Sequence, residues 1–464
     1  MASFAVLPPM PTEQLEAQYS NQKSLAWCQR SVAARTEAFV EAEVLKLTQK
    51  CRFLEDDDDL IEDEVAIFHR TEVHTGSLLG NGAFSEVYQV WGFQLANIND
   101  PFQEEARDQV RRTVIDKQGR CNYVMKHLRH DLAGKRKKFI HAAADLVLEA
   151  KYLHKLDHPN IIKMRGWAGG PSAFSEGAHD GFFLILDRLD ETLSNRIMRW
   201  KVQASSNGQS RKDVRSSNLS HYREKLSYAL QIANALDYLH DRDIIFRDLK
   251  PDNIGFTGNT IKIFDFGLCR ELPEACPESN KVFHMSGVGT RRYMAPEIFL
   301  GQHYNLKADV YSWTIVVYSM LSLQSPFENY NAALHRLLVC HEGTRPTLYP
   351  EWPAEIQELC QTGWARSPVD RPTIKQVCAQ LDDMISRTEE QVAPKPSMFE
   401  TSFNRMVEAC TSNVCQVMPL NRKHAINLLR SMEAHLVSGG GATPTLREHS
   451  TDYPHLQHLR SAYL

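Results

Sequence analysis

The sequence predicts an α+β fold of two lobes, a small β-rich lobe followed by a larger, mainly helical one. Two patterns carry that expectation. Short β-branched runs such as Glu86–Val90 and Tyr123–Met125 cluster after residue 71, and helical periodicity takes over from Tyr222 onward. The size agrees: 464 residues exceed what one core usually holds, since a domain takes about 100–200 residues. With 42% apolar and 24% charged residues the composition is that of a globular protein, neither collagenous nor wholly disordered. A net charge of −4 provides no general attraction to nucleic acid or anionic lipid, so no nucleic-acid partner is expected. The ten cysteines stand singly, Cys410 and Cys415 included, with no zinc spacing, and read as reduced thiols. The first residues lack a leader-like apolar run, and no stretch approaches the roughly 20 apolar residues a membrane span needs. A cytoplasmic protein is expected, with nuclear entry left open.

Residues 1–71 form an N-terminal extension. Within Thr12–Lys50, Val32, Phe39, Val40, Val44 and Leu47 recur at helical spacing. An acidic run, Glu55–Asp59 and Glu62–Glu64, then reads as a solvated linker, an electrostatic docking tail being the sharper alternative. Residues 72–386 form the main domain. Its polar Asn97–Arg120 interval reads as an insertion or long loop, Phe139–Leu156 as a helix and Phe182–Leu186 as a buried strand. Ser205–Ser220 is Ser/Asn/Arg-rich and reads as a second, mobile insertion. Tyr222–Leu239 is a helix, and Asp309–Leu323 is another, apolar on nearly every side and so buried. Residues 387–464 form a largely flexible extension with one helix over Lys423–Val437, stopped by Ser438 and Gly439–Gly441.

Leu79–Val87 reads LGNGAFSEV. Glycines there permit a tight turn and close backbone approach to a polyanion, but a plain hairpin turn fits as well. No helix opens at the glycines, against a dinucleotide fold, and no Lys-Ser/Thr pair follows, against a Walker A loop. Lys126 ends the apolar run Val124-Met125-Lys126. Glu149 interrupts an apolar helical stripe of Leu146, Leu153 and Leu156, where a carboxylate needs a cationic partner; Lys126 is a candidate. Ile244–Ile254 reads IIFRDLKPDNI. Asp248 and Asn253, five residues apart across a proline turn, can face one pocket, one group positioning a hydroxyl and the other binding a hard cation. Seventeen residues past Asp248, IKIFDFG sets Asp265 at a strand end before a glycine. Cys269 and Trp313 read as core, and Lys135–Lys138 as a solvated helix entrance.

In this order and spacing, residues 72–386 resemble a eukaryotic protein kinase catalytic domain of the serine/threonine type. The resemblance rests on a Gly-rich loop at Leu79, Gly80, Asn81, Gly82, Ala83, Phe84, Ser85, Glu86 and Val87, with Ser85 where a third glycine often stands. It rests also on Lys126 and Glu149, the catalytic loop Phe246–Asn253, the Asp265–Gly267 motif, Ala295-Pro296-Glu297, Asp309 and Arg371. It implies a five-stranded small lobe with one key helix, and transfer of the ATP γ-phosphate to protein hydroxyls. Asp248 would accept or orient the hydroxyl proton, and Asn253 and Asp265 would hold Mg²⁺. Lys126, held by Glu149, would bind phosphates, Leu186 would be the gatekeeper, and Asp187–Leu189 would form the hinge. Lys250 would mark a Ser/Thr acceptor on a protein substrate, and Thr290 would contact Asp248 and Lys250. Arg247 and Ser286 imply a switch thrown by an upstream kinase. Phe246 stands where the family usually has histidine, and would stack with Leu153, Met164 and Phe266. That departure supports the competing reading, a scaffold binding nucleotide or partners without turnover. A kinase-like enzyme for small molecules is the third reading, opposed by Ala295-Pro296-Glu297.

Overall fold

The computed structural model describes residues 36–48, 51–55, 65–132, 135–168, 179–206, 211–272 and 281–392. The chain divides into two units, Met1–Thr388 and Glu389–Leu464, and the fold below is that of the first. Residues 56–64 of the acidic run, the Lys423–Val437 helix, and Cys410 and Cys415 lie outside the described residues.

Two helices come first, α1 (36–48) and α2 (Arg52–Glu55). The strands β1 (Ala66–Phe68), β2 (Val73–Asn81), β3 (Ser85–Phe93), β4 (Tyr123–Leu128), β5 (Met164–Ala168) and β6 (Phe183–Asp187) build one sheet, in the order β1-β5-β6-β4-β3-β2. The expected five strands are therefore six. The additional strand, β1, precedes residue 72 and pairs in parallel with β5. Helix α3 (Pro101–Arg112) lies where an insertion or long loop was expected. The Asp100 carboxylate caps it by accepting from the Phe102 and Gln103 N–H groups, and Pro101 takes the first turn. From α3 the buried Gln103 amide accepts from Ile67 N–H at 2.9 Å and donates to the Val65 carbonyl at 3.0 Å, tying α3 to the backbone beside and within β1. An open edge is thus satisfied by a side chain, a pairing that no local pattern in 97–120 announces. Helix α4 (Arg136–Lys155) packs under the sheet and carries Glu149.

In the second lobe, α5 (Leu193–Ser206) and α6 (Arg211–His240) precede the short strands of the catalytic region. Helix α6 extends through most of the Ser205–Ser220 interval expected to be a mobile insertion. Residues 211–220 contain neither glycine nor proline, so the well-packed turns after Tyr222 can propagate back through them. Around the catalytic region run β7 (Glu191–Thr192), β8 (Ile244–Ile245), β9 (Ile254–Thr257), β10 (Thr260–Ile263) and β11 (Arg270–Glu271). Then come α7 (Pro296–Phe299), α8 (Lys307–Ser322), α9 (Ala354–Gly363) and α10 (Ile374–Val392). Helix α8 is buried along nearly its whole length, as its all-round apolar sequence requires, and its Trp313 indole donates to the Ala229 carbonyl at 3.0 Å. The small-lobe sheet and the α6–α8 layer share one continuous core.

Candidate active site

Three strands align the small-lobe half of the site. Gly80 of β2 opposes Val87 of β3, and Val87 opposes Lys126 of β4, so the glycine turn overhangs the lysine. Lys126 is mid-strand, not at the strand end, because β4 runs on to Leu128. The turn closes with Gly82 N–H donating to the Ser85 carbonyl at 2.8 Å. Arg129, which drew no attention in the sequence, holds it from beside β4 by donating to Asn81 Oδ1 at 3.1 Å and to the Gly82 carbonyl at 3.2 Å.

The Lys126 ammonium donates to Glu149 Oε2 at 2.6 Å and to Asp265 Oδ1 at 2.8 Å. Burial works against its charge, but the carboxylates of Asp265 and Glu149 outweigh burial and hold its pKa above the ordinary lysine value. Burial pushes Glu149 up to about 7, with Lys126 pulling the other way. Burial also opposes charge on Asp265, yet Lys126 keeps that group below the usual carboxylate range. Asp265 sits in the left-handed region at φ 73°, unusual for a non-glycine residue, and its side chain is 44% exposed.

The second half converges on Asp248. Its Oδ1 accepts from the Thr290 N–H and hydroxyl, both at 2.8 Å, and its Oδ2 accepts from Lys250 at 2.5 Å and from the Asn253 amide at 3.1 Å. Lys250 also donates to the Thr290 hydroxyl at 3.1 Å. This convergence requires a glycine at 289. Gly289 has φ 118°, and a Cβ there would stand 2.5 Å from the Arg247 carbonyl. Asn253 also donates to the Asp248 carbonyl, so its amide oxygen is the atom left for a ligand. Phe264 N–H donates to the Asn253 carbonyl at 3.0 Å, which holds the Asp265 turn against the Asn253 loop. A carboxylate and an amide oxygen on adjoining loops are hard oxygen donors of the kind that would suit a divalent cation.

Below these groups, the buried Asp309 accepts from the Phe246 and Arg247 N–H groups at 2.8 and 2.9 Å, with His240 Nε2 3.0 Å away. The Phe246 ring meets Phe266 edge-on at 5.2 Å, and Leu153 and Met164 are buried in the same core. Arg247 reaches the exposed Ser286 hydroxyl at 3.3 Å and the Tyr304 hydroxyl at 3.1 Å. Tyr304 in turn donates to the Ser286 carbonyl at 2.7 Å. Neither Arg129 nor Tyr304 has a local signal. Both act through contacts that only the fold creates. Cys269 is fully buried, and burial raises its thiol pKa well above the ordinary value, which fits a core residue.

A two-lobed cleft with a glycine turn over a paired lysine, facing an Asp–Lys–Thr–Asn cluster, defines a domain for phosphoryl transfer from a nucleotide. The protein kinase domain family model matches residues 109–381, and the chain belongs to that family. The match begins beyond the glycine turn, which β2 and β3 nevertheless join to the same sheet. A Drosophila melanogaster protein, mitogen-activated protein kinase kinase kinase 7, is 28% identical over 59% of this chain and 37% of its own length. The mouse serine/threonine-protein kinase Nek4 is 31% identical over 50% of this chain and 26% of its own. A probable LIM domain-containing serine/threonine-protein kinase of Dictyostelium discoideum is 36% identical over 34% of this chain and 16% of its own. The chain thus spans little more than a third of these relatives' length at most. A domain of this family uses ATP and a divalent metal. Among the described residues, no helix is long and apolar enough to cross a membrane.

Proposed function

We propose that this chain is a protein serine/threonine kinase that transfers the γ-phosphate of ATP, with Mg²⁺, to a Ser or Thr hydroxyl of a protein substrate. The observation that carries the reading is the convergence of Thr290, Lys250 and Asn253 on one buried carboxylate, Asp248. That carboxylate is oriented to take up or direct a hydroxyl proton. Lys250 stands beside it to offset phosphate charge, and Lys126, fixed by Glu149, is presented to phosphate oxygens beneath the glycine turn Leu79–Val87. Asp265 and Asn253 are the residues that would hold Mg²⁺, which neutralises charge on the transferring phosphate when bound.

The scaffold reading rests on Phe246. Its ring fills the position against Phe266 and its N–H keeps the Asp309 bond, so packing and backbone support survive the absence of an imidazole. Arg247 suits a regulatory role. One of its terminal nitrogens is buried without a hydrogen-bond partner, 3.3 Å separates the other from the Ser286 hydroxyl, and a phosphate there could engage both. An upstream kinase acting on Ser286 is part of this proposal. So is a cytoplasmic location, for which the six buried free cysteines among the described residues speak.

The test is transfer from labelled ATP and Mg²⁺ to a generic basic protein by wild type and Asp248→Asn. Wild type should phosphorylate serine or threonine, and the variant should be slower by about 10²–10⁴-fold. Silence from both, with nucleotide bound and Ser286→Glu in place, would return the weight to a scaffold.

A further inference from the structure

The N-terminal segment contacts the helix that carries Glu149 and the strand pair next to the Asp248 loop. Helix α1 buries Val40 and Val44 in the core shared with α4. Outside that core, the Arg136 guanidinium lies 4.6 Å from the Phe39 ring centroid, and His141 Nε2 lies 3.8 Å from Glu43. Farther along α4, the Tyr152 hydroxyl is 3.9 Å from the Cys51 sulfur, and its ring stacks on Phe53 at 6.1 Å. The same few residues then reach the larger lobe. Arg52 donates to Glu271 Oε1 at 3.1 Å and to Asp243 Oδ2 at 3.3 Å, and the Phe53 N–H donates to Glu271 Oε2 at 2.8 Å.

Glu271 makes this contact consequential. Its side chain is 4% exposed, and both of its oxygens accept from residues 52 and 53. That burial is created by the docked segment itself, whose donors satisfy both carboxylate oxygens as it covers them. Glu271 lies in β11, opposite Ile244 of β8, the strand that leads into the Asp248 loop, and the chain continues from it towards Ser286. One segment therefore grips the helix that carries Glu149 and the strand pair that frames Asp248.

We infer that residues 36–48 and 51–55 act as a built-in strap that positions α4, so that Glu149 reaches Lys126 only while the segment is docked. Arg52 and Phe53 are positioning residues; neither meets the reacting groups. The inference rests on the kinase reading for its effect on rate, but not for its effect on α4.

The test uses the full chain. Val40→Asp with Val44→Asp should release α1, making its amides exchange freely. Amide exchange across α4 should then rise at least 10-fold while α8 stays protected, and kcat should fall at least 10-fold with KM for the protein substrate unchanged. Release of α1 with unchanged α4 exchange would overturn the inference. If the double variant loses protection in α8 as well, Arg52→Ala decides. A kcat lowered at least 3-fold at an unchanged melting temperature supports the strap, and an unchanged kcat overturns it. Should wild type transfer no phosphate, the kinase reading fails separately, and α4 exchange in the same variants still judges the strap.

Discussion

Lys126–Glu149 in the small lobe and Arg371–Glu297 in the large lobe are both buried cation–carboxylate pairs with a closest contact of 2.6 Å. They differ in what is left over. Arg371 is fully enclosed and donates to both Glu297 oxygens and to the carbonyls of Ala365, Lys307 and Arg366, so its planar fork is used on every side. Lys126 is shared between two carboxylates. One oxygen of Glu149 is buried without a well-formed hydrogen bond, and Asp265 stays open to the cleft. The first pair is a closed structural joint. In the second, the Asp265 carboxylate stays open while it shares Lys126, the condition for binding charge that arrives later.

The largest effect should come from breaking the open pair while the closed one is intact. Asp265→Asn removes a charge from the cleft and should slow phosphate transfer by about 10²–10³-fold, as loss of a preorganised electrostatic group does elsewhere. Its melting temperature should fall less than that of Arg371→Met, since the Asp265 side chain is 44% exposed and Glu149 still pairs Lys126. Comparable loss of both activity and thermal stability would erase the distinction between the two pairs.

Next comes the reverse experiment. Arg371→Met leaves Glu297 buried and unpaired and should cost about 3–5 kcal/mol in urea unfolding. Replacing both partners, Arg371→Met with Glu297→Leu, should recover much of that loss. A single variant within about 0.5 kcal/mol of wild type would mean the joint is ornamental.

A smaller effect sharpens the contrast through pH. Burial raises Glu149 to about 7, so its charged form, the one that holds Lys126, prevails only above that value. As pH falls through about 7, Glu149 takes up a proton and transfer should decline. Glu149→Gln should be slow throughout and lack this acidic limb. A wild-type rate flat from pH 8 to pH 6 would contradict the assignment.

The smallest effect concerns Asp145, also on α4, with Arg270 3.8 Å away. Burial raises it to about 6, although Arg270 and Arg247 favour its charge. A carboxyl raised above its unfolded value contributes stability that is complete below the unfolded pKa and lost as pH rises through 6. Asp145→Asn should therefore melt slightly higher than wild type at pH 8, with the advantage vanishing near pH 4. A variant that melts lower at pH 8 would show that Arg270 dominates.

Much of the candidate site was legible because its chemistry is written in short runs. Asp248 and Asn253 are brought together by one proline-containing turn, and the glycines of 79–87 act through their own backbone, so neighbours in sequence suffice. Glu149 was suspect because a charge in an apolar stripe demands a partner. Its pairing with Lys126, 23 residues away, and that of Lys126 with Asp265, 139 residues away, became definite only when strand register and α4 packing set the distances. The sixth strand and helix α3 were missed for the complementary reason. A three-residue strand has almost no propensity of its own, and its partners come from residues far along the chain. The strap formed by residues 36–48 and 51–55 belongs with them. Its helical periodicity was visible, but the face it would cover depends on Tyr152 and Glu271 arriving beside it. By itself, then, the sequence determined which chemical groups the protein possesses and which short turns present them, because backbone conformation and neighbouring side chains are local properties. The tertiary structure alone decided which charges meet, which stay open to the cleft and which segment holds α4, because burial and long-range pairing exist only once the whole chain has folded.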